Sequence, residues 1–195
     1  MPERSPAPQP PEGALAPARR TPHDRLLAAG LAPIGPAAEF ADDIHRLMAD
    51  TPLFAGLDID QSRRLAGLMF VYEAHPGTEM IGEGDTGDFL MLLMSGLADV
   101  LRRNRHDYPA RIAVASPGHC LGEMSLFDGE PRFASCVALE RSRIAVLTRD
   151  AVQRVLADDP VLGNKILLRT VQLLSERLRQ TSAKLVTFLD AARDT

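Results

Sequence analysis

Gly122-Glu123 and, ten residues on, Arg132 carry the clearest chemistry in this 195-residue chain. They sit in the run Leu121-Gly122-Glu123-Met124-Ser125-Leu126-Phe127-Asp128-Gly129-Glu130-Pro131-Arg132-Phe133-Ala134. A short helical turn opening at Gly122 would aim unpaired backbone N–H groups, with their partial positive charge, into a pocket. Glycine lets a ligand approach the main chain closely, and Met124 and Ser125 continue the same turn. Arg132 can fork two N–H donors onto phosphate oxygens, with Phe133 and Ala134 beside it. Glu123 would repel a phosphate, so its place in this turn calls for another role: accepting a hydrogen bond from a sugar hydroxyl while pairing with an arginine. Catalysis is not indicated. His45, His75, His106 and His119 are scattered, His23 lies near the N-terminus, and no Ser/His/Asp, Cys/His or metal-ligand spacing occurs.

Several elements must hold this cradle. Residues 1–38 contain nine of the fifteen prolines, and proline removes helical donors and fixes φ, so a disordered tail or linker is expected there. Phe40, Ile44, Leu47 and Met48 fall at helical spacing before Thr51-Pro52. Leu53, Phe54 and Leu57 form an apolar turn, and Asp58 or Asp60 caps a second helix that turns Leu65, Leu68 and Met69 inward. From Val71 to Thr148, turn signals every 8–12 residues or so predict an antiparallel barrel or roll. Phe89-Leu90-Met91-Leu92-Leu93-Met94 is continuous enough for a strand buried on both faces. The preceding Ile81-Gly82-Glu83-Gly84-Asp85-Thr86-Gly87-Asp88-Phe89 is dense in oxygens but lacks the terminal Glu and flanking helices of a calcium loop. A tight hairpin with positive φ at its glycines is expected instead.

Arg149-Asp150 open a short helix stopped at Asp158-Asp159-Pro160, and a long helix runs from about Val161 to Ala192. Its Leu167, Val171, Leu174, Leu178, Leu185 and Phe188 step by 4, 3, 4, 7 and 3, with Thr181 inside the step of seven. That is a heptad seam, suited to packing against a second copy of the same helix.

The Gly122–Ala134 segment resembles the phosphate-binding cassette of the cyclic nucleotide-binding domain family, which includes the bacterial catabolite activator protein, protein kinase A regulatory subunits and nucleotide-gated channels. The glycine-rich turn before a buried strand and the later Ser95-Gly96 resemble the same family. The resemblance covers about residues 52–190. It implies an α+β fold, with a jelly-roll-like antiparallel β-roll (a double-stranded β-helix), N-terminal helices and a long C-terminal dimerisation helix. It also implies that Glu123 binds a ribose 2′-hydroxyl and Arg132 the cyclic phosphate. Phe133 departs from the Ser, Thr or Ala usual after that arginine. Gln180-Thr181-Ser182-Ala183-Lys184 followed by Phe188-Leu189-Asp190 resembles the long helix of the catabolite activator protein, which makes Thr181 and Ser182 purine-reading candidates, one from each subunit.

The domain expectation is therefore a Pro/Ala-rich tail over 1–38, a nucleotide-binding β-roll with flanking helices over 39–160, and a dimerisation and lid helix over 161–195. A net charge of −4 disfavours a nucleic-acid surface, which needs a basic face, and Arg102, Arg103, Arg105 and His106 are expected at a solvated hairpin tip. Cys120 and Cys136 suit buried free thiols in a reducing compartment. No run of 18 apolar residues or secretory signal occurs, so no membrane span and a cytoplasmic location are expected. The chain stops at Thr195, with no room for a recognition helix. The expected function is a stand-alone sensor of cAMP or cGMP without a metal, not an enzyme, homodimeric, and signalling to an unknown downstream protein rather than DNA. The alternatives are a scaffold of the same fold that has lost mononucleotide binding, or a receptor for a cyclic dinucleotide.

Overall fold

A computed structural model describes residues 20–193, with the side chains of Phe188 and of 191–193 outside the description. The N-terminal segment is folded from its first described turn. Helix α1 (Pro22–Ala28) starts at a capping box, in which Thr21 and Asp24 satisfy each other's backbone N–H groups, and has proline in its first turn. Strand β1 (Ala32–Pro36) pairs with β2 (Phe70–Ala74) at the sheet edge, where its prolines cost no ladder bond on the open side. Leu26 and Leu31 are buried. The expected tail over 1–38 is thus corrected for 22–36, which belong to the folded unit. Residues 1–19 lie outside the described residues.

Helices α2 (Ala41–Asp50) and α3 (Ile59–Ala66) follow, and Asp58 is the residue that caps α3, accepting from the Gln61 N–H at 2.8 Å. Strands β3 (Glu79–Ile81), β4 (Phe89–Ser95), β5 (Ala98–Arg103), β6 (Pro109–Ala115) and β7 (Cys120–Leu121) lead to α4 (Glu123–Asp128). Then come β8 (Ser135–Ala138), β9 (Ser142–Thr148), α5 (Arg149–Asp158) and α6 (Pro160–Arg193). Two antiparallel sheets result, ordered β1-β2-β9-β4-β7 and β3-β8-β5-β6. The mixed α+β fold is the expected β-roll.

Strand β4 shows why an uninterrupted apolar run was needed. Leu90 and Leu92 face a core shared with Ile44, Met48, Leu65, Val155 and Ile166 of the helices. Phe89, Met91 and Leu93 face the inter-sheet core with Met80, Ile81, Ala98 and Ile144. Residues 82–88 do not close a hairpin, contrary to expectation. β3 pairs with β8 and β4 with β7 and β9, so this segment crosses from one sheet to the other. The hairpin tip between β5 and β6 is exposed as expected. Helix α6 buries Leu162, Ile166 and Thr170 against the helical core, while Val171 and Leu178 stand 61% and 68% exposed beyond it.

Candidate functional site

Gly122 enters α4 with φ +78°, and a Cβ there would lie 2.4 Å from the Arg132 guanidinium. Only glycine combines that left-handed turn with so close an approach. Among the described residues no side chain caps α4, which leaves its first-turn N–H groups without a capping partner there. Arg132 is buried rather than turned to solvent. Its Nη1 donates to the Gly122 carbonyl at 2.7 Å and its Nη2 to the Phe89 carbonyl at 2.7 Å, with Cζ 4.4 Å from the Phe89 ring centroid. Among the described residues these bonds use two of the five guanidinium N–H donors. Burial lowers its pKa to about 10, partly offset by Asp88, so the side chain stays cationic at neutral pH.

The crossing segment 82–88 is fastened to this centre through the main chain. Gly84 N–H donates to the Arg132 carbonyl at 2.9 Å, and Arg132 N–H to that of Asp85 at 2.9 Å. Gly87 sits so tightly on α4 that a Cβ would fall 2.0 Å from that of Ser125. Arg149, opening α5, donates to the carbonyls of Gly87 at 2.8 Å and Ser125 at 2.7 Å. One guanidinium therefore joins the crossing segment, the cassette helix and the base of the C-terminal helices.

Glu123 is buried, and its partner is Arg177 of α6, to which it is bonded as an ion pair. The arginine that Glu123 was expected to need is thus supplied by the long helix, 54 residues away in the chain. The remaining candidates divide. Ser125 is buried with its hydroxyl 3.4 Å from the Pro131 carbonyl, whereas Met124 is partly exposed at the rim. Phe133 is half exposed, its ring beneath the Arg102 guanidinium at 3.7 Å, and Arg102 also donates to the Phe133 carbonyl at 2.6 Å. Arg102, Met124, Ser125, Arg132 and Phe133 line one cavity of about 340 Å³. Ala134 is partly buried just after them.

Thr181 and Ser182 are both exposed, and among the described residues neither hydrogen-bonds the β-roll. Thr181 lies one helical turn beyond Arg177 and about 40° round the axis, while Ser182 is turned away by about 140°. Arg177 was missed in the sequence; the available signal was its position four residues before Thr181, on the same face. Among the described residues no cluster of three or more His, Cys, Asp and Glu could hold a metal, and no helix is long and apolar enough to cross a membrane.

Comparison with known proteins agrees with this geometry. The profile of the cyclic nucleotide-binding domain family matches residues 72–159. A crystal structure of a cyclic nucleotide-binding domain from Methylobacillus flagellatus is 36% identical, with a TM-score of 0.72, covering 80% of this chain and 88% of that one. The cyclic AMP receptor protein of Thermus thermophilus is 31% identical over 71% of this chain and 62% of its own length. A cAMP-dependent protein kinase regulatory subunit of Yarrowia lipolytica is 30% identical over 60% of this chain and 30% of its own length. The chain therefore spans about three fifths of the Thermus relative and under a third of the Yarrowia one. With the glycine-opened cassette, the buried arginine and the two-sheet roll in place, the chain belongs to the cyclic nucleotide-binding domain family.

Proposed function

We propose that this chain is a regulatory cyclic nucleotide receptor, with cAMP as its first ligand, that passes binding on to a downstream protein through α6. The observation that carries this is the Glu123–Arg177 pair. A ribose hydroxyl bound to Glu123 touches the β-roll and the long helix at once, so a ligand can shift their relative placement by its preference for one arrangement. The cyclic phosphate takes the open N–H groups of α4 and the unused donors of Arg132. The base extends along α6 toward Thr181. Ser182, on another face, serves a pocket only when α6 packs against a second copy, and the exposed seam of Leu167, Val171, Leu174, Leu178 and Leu185 supports a homodimer. The names of the Thermus and Yarrowia relatives support cAMP as the ligand. A same-fold scaffold is the second reading, motivated by Phe133 standing half exposed beside Arg132.

A thermal-shift panel of cAMP, cGMP and cyclic dinucleotides tests this. Ligand at a hundredfold its Kd stabilises by about 2.7 kcal/mol, which raises Tm by roughly 5–11 °C for a chain of this size. A rise with cAMP is expected. A rise with cGMP alone keeps the receptor and corrects the base, whereas no rise with any of them removes the proposal in favour of the scaffold.

A further inference from the structure

Asp88 is paired with one guanidinium, that of Arg25, and precedes in sequence the Phe89 carbonyl that holds a second, that of Arg132. Arg25 of α1 is paired with its carboxylate and also donates to the Arg20 carbonyl at 2.8 Å. Arg132 approaches from the cassette side, hydrogen-bonded to the carbonyl of the very next residue, Phe89. The Phe89 ring lies near both cations, 4.4 Å from Cζ of Arg132 and 5.9 Å from Cζ of Arg25. Arg25, Leu26, Phe89 and Arg132 line a common cavity of about 290 Å³. Asp88 and Asp85 favour the charge on Arg132, and Arg25 opposes it. The third nearby guanidinium, Arg149, is committed to the carbonyls of Gly87 and Ser125.

The position of Arg25 is not incidental to the packing. Helix α1 is seated by buried Leu26, by His23 Nδ1 against the Tyr72 hydroxyl at 2.5 Å, and by the β1–β2 pairing that follows. These contacts fix α1 without the ion pair, so the pair has little to add to seating the helix. The pair is largely shielded, its side chains 26% and 29% exposed, and it decides where the Asp88 carboxylate goes. Released from Arg25, that carboxylate has Arg132 as its neighbouring cation, and an Asp88–Arg132 pair would occupy the donors that an anionic ligand needs.

We infer that Arg25 is a positioning residue for ligand binding: by holding Asp88, it keeps that carboxylate off Arg132 and leaves the cassette guanidinium free for a cyclic phosphodiester. This rests on the receptor function proposed above. It makes the N-terminal segment a determinant of affinity, acting through Asp88. It also separates two effects of charge removal, because losing Arg25 harms binding only while Asp88 is present.

A double-mutant cycle tests it on the full chain, by calorimetry with cAMP or cGMP and thermal melts of each variant as a fold control. R25Q is expected to weaken binding on the order of three- to tenfold, and R25K to bind as the wild type does. D88N, which cannot compete for Arg132, should bind at least as well as the wild type. The R25Q/D88N double variant should return to within about twofold of it. Wild-type affinity in R25Q, or a double variant as weak as R25Q, overturns the inference, the latter because it marks a plain packing role for α1. A wild-type chain that binds neither nucleotide removes the receptor proposal and this inference with it, whereas normal wild-type binding with a flat cycle removes this inference alone.

Discussion

Replacing Arg177 with alanine strips the counter-charge from a carboxylate that water scarcely reaches. The Glu123 side chain is 5% exposed and that of Arg177 46%. Breaking a fully buried pair costs about 3–5 kcal/mol, because an uncompensated charge is left behind. A fully exposed pair contributes roughly 0–1 kcal/mol. The pair here is buried at one end only, and water can enter where the arginine was, so a loss of about 1–2 kcal/mol follows. For a chain of this length that lowers Tm by about 3–6 °C. Scanning fluorimetry without ligand measures it, alongside the E123Q/R177A double variant. The double variant should recover most of the loss, since an amide carries no charge to strand. An unchanged Tm in R177A would contradict the role of the pair, as would a double variant less stable than R177A itself. Either result would mean that Glu123 is not neutralised from α6, and the contact joining cassette and long helix would be lost.

Other consequences are equally open to measurement. In G122A, a Cβ is forced against the Arg132 guanidinium at positive φ, so a Tm drop of several degrees is expected from about 1–2 kcal/mol of backbone strain plus the clash. L178E places a charge in the exposed seam of α6 and should convert the proposed dimer to a monomer in sedimentation analysis, with the monomer melt little changed. Burial pushes the Cys136 thiol up to about 12, above its unfolded value of 9.0. The folded state therefore holds that proton more tightly, and the resulting stability is present below about pH 9 and lost as pH rises toward 12. Urea unfolding at pH 10 against pH 8 should cost the wild type about 1.4 kcal/mol more than C136A; equal losses would place the thiol in water.

The meeting of Gly122 and Arg132 was legible because it is local. Gly122, Glu123 and Arg132 lie within one short helix and the turn after it, so residue type and spacing suffice. Arg177 was not, because its partner is 54 residues away and α6 carries other arginines that look alike in sequence. The crossing of 82–88 between sheets was hidden for another reason: a glycine-rich loop has the same composition whether its strands pair or part. The N-terminal segment misled through its prolines. Pro22 is at home in the first turn of α1, and Pro33 and Pro36 lie on an edge strand, both places where proline costs little. The heptad of α6 is a sequence period, and Val171, Leu178 and Leu185 stand exposed beyond Thr170, which supports the homodimer proposed above.

The proposed receptor function depends on Arg132 holding a cyclic phosphate within the cradle opened by Gly122. Calorimetric titration of cAMP into the wild type and R132A tests that most directly. One charge-assisted hydrogen bond contributes about 1.5–3 kcal/mol, so R132A is predicted to bind at least about tenfold more weakly. Equal affinity in the two proteins would contradict it.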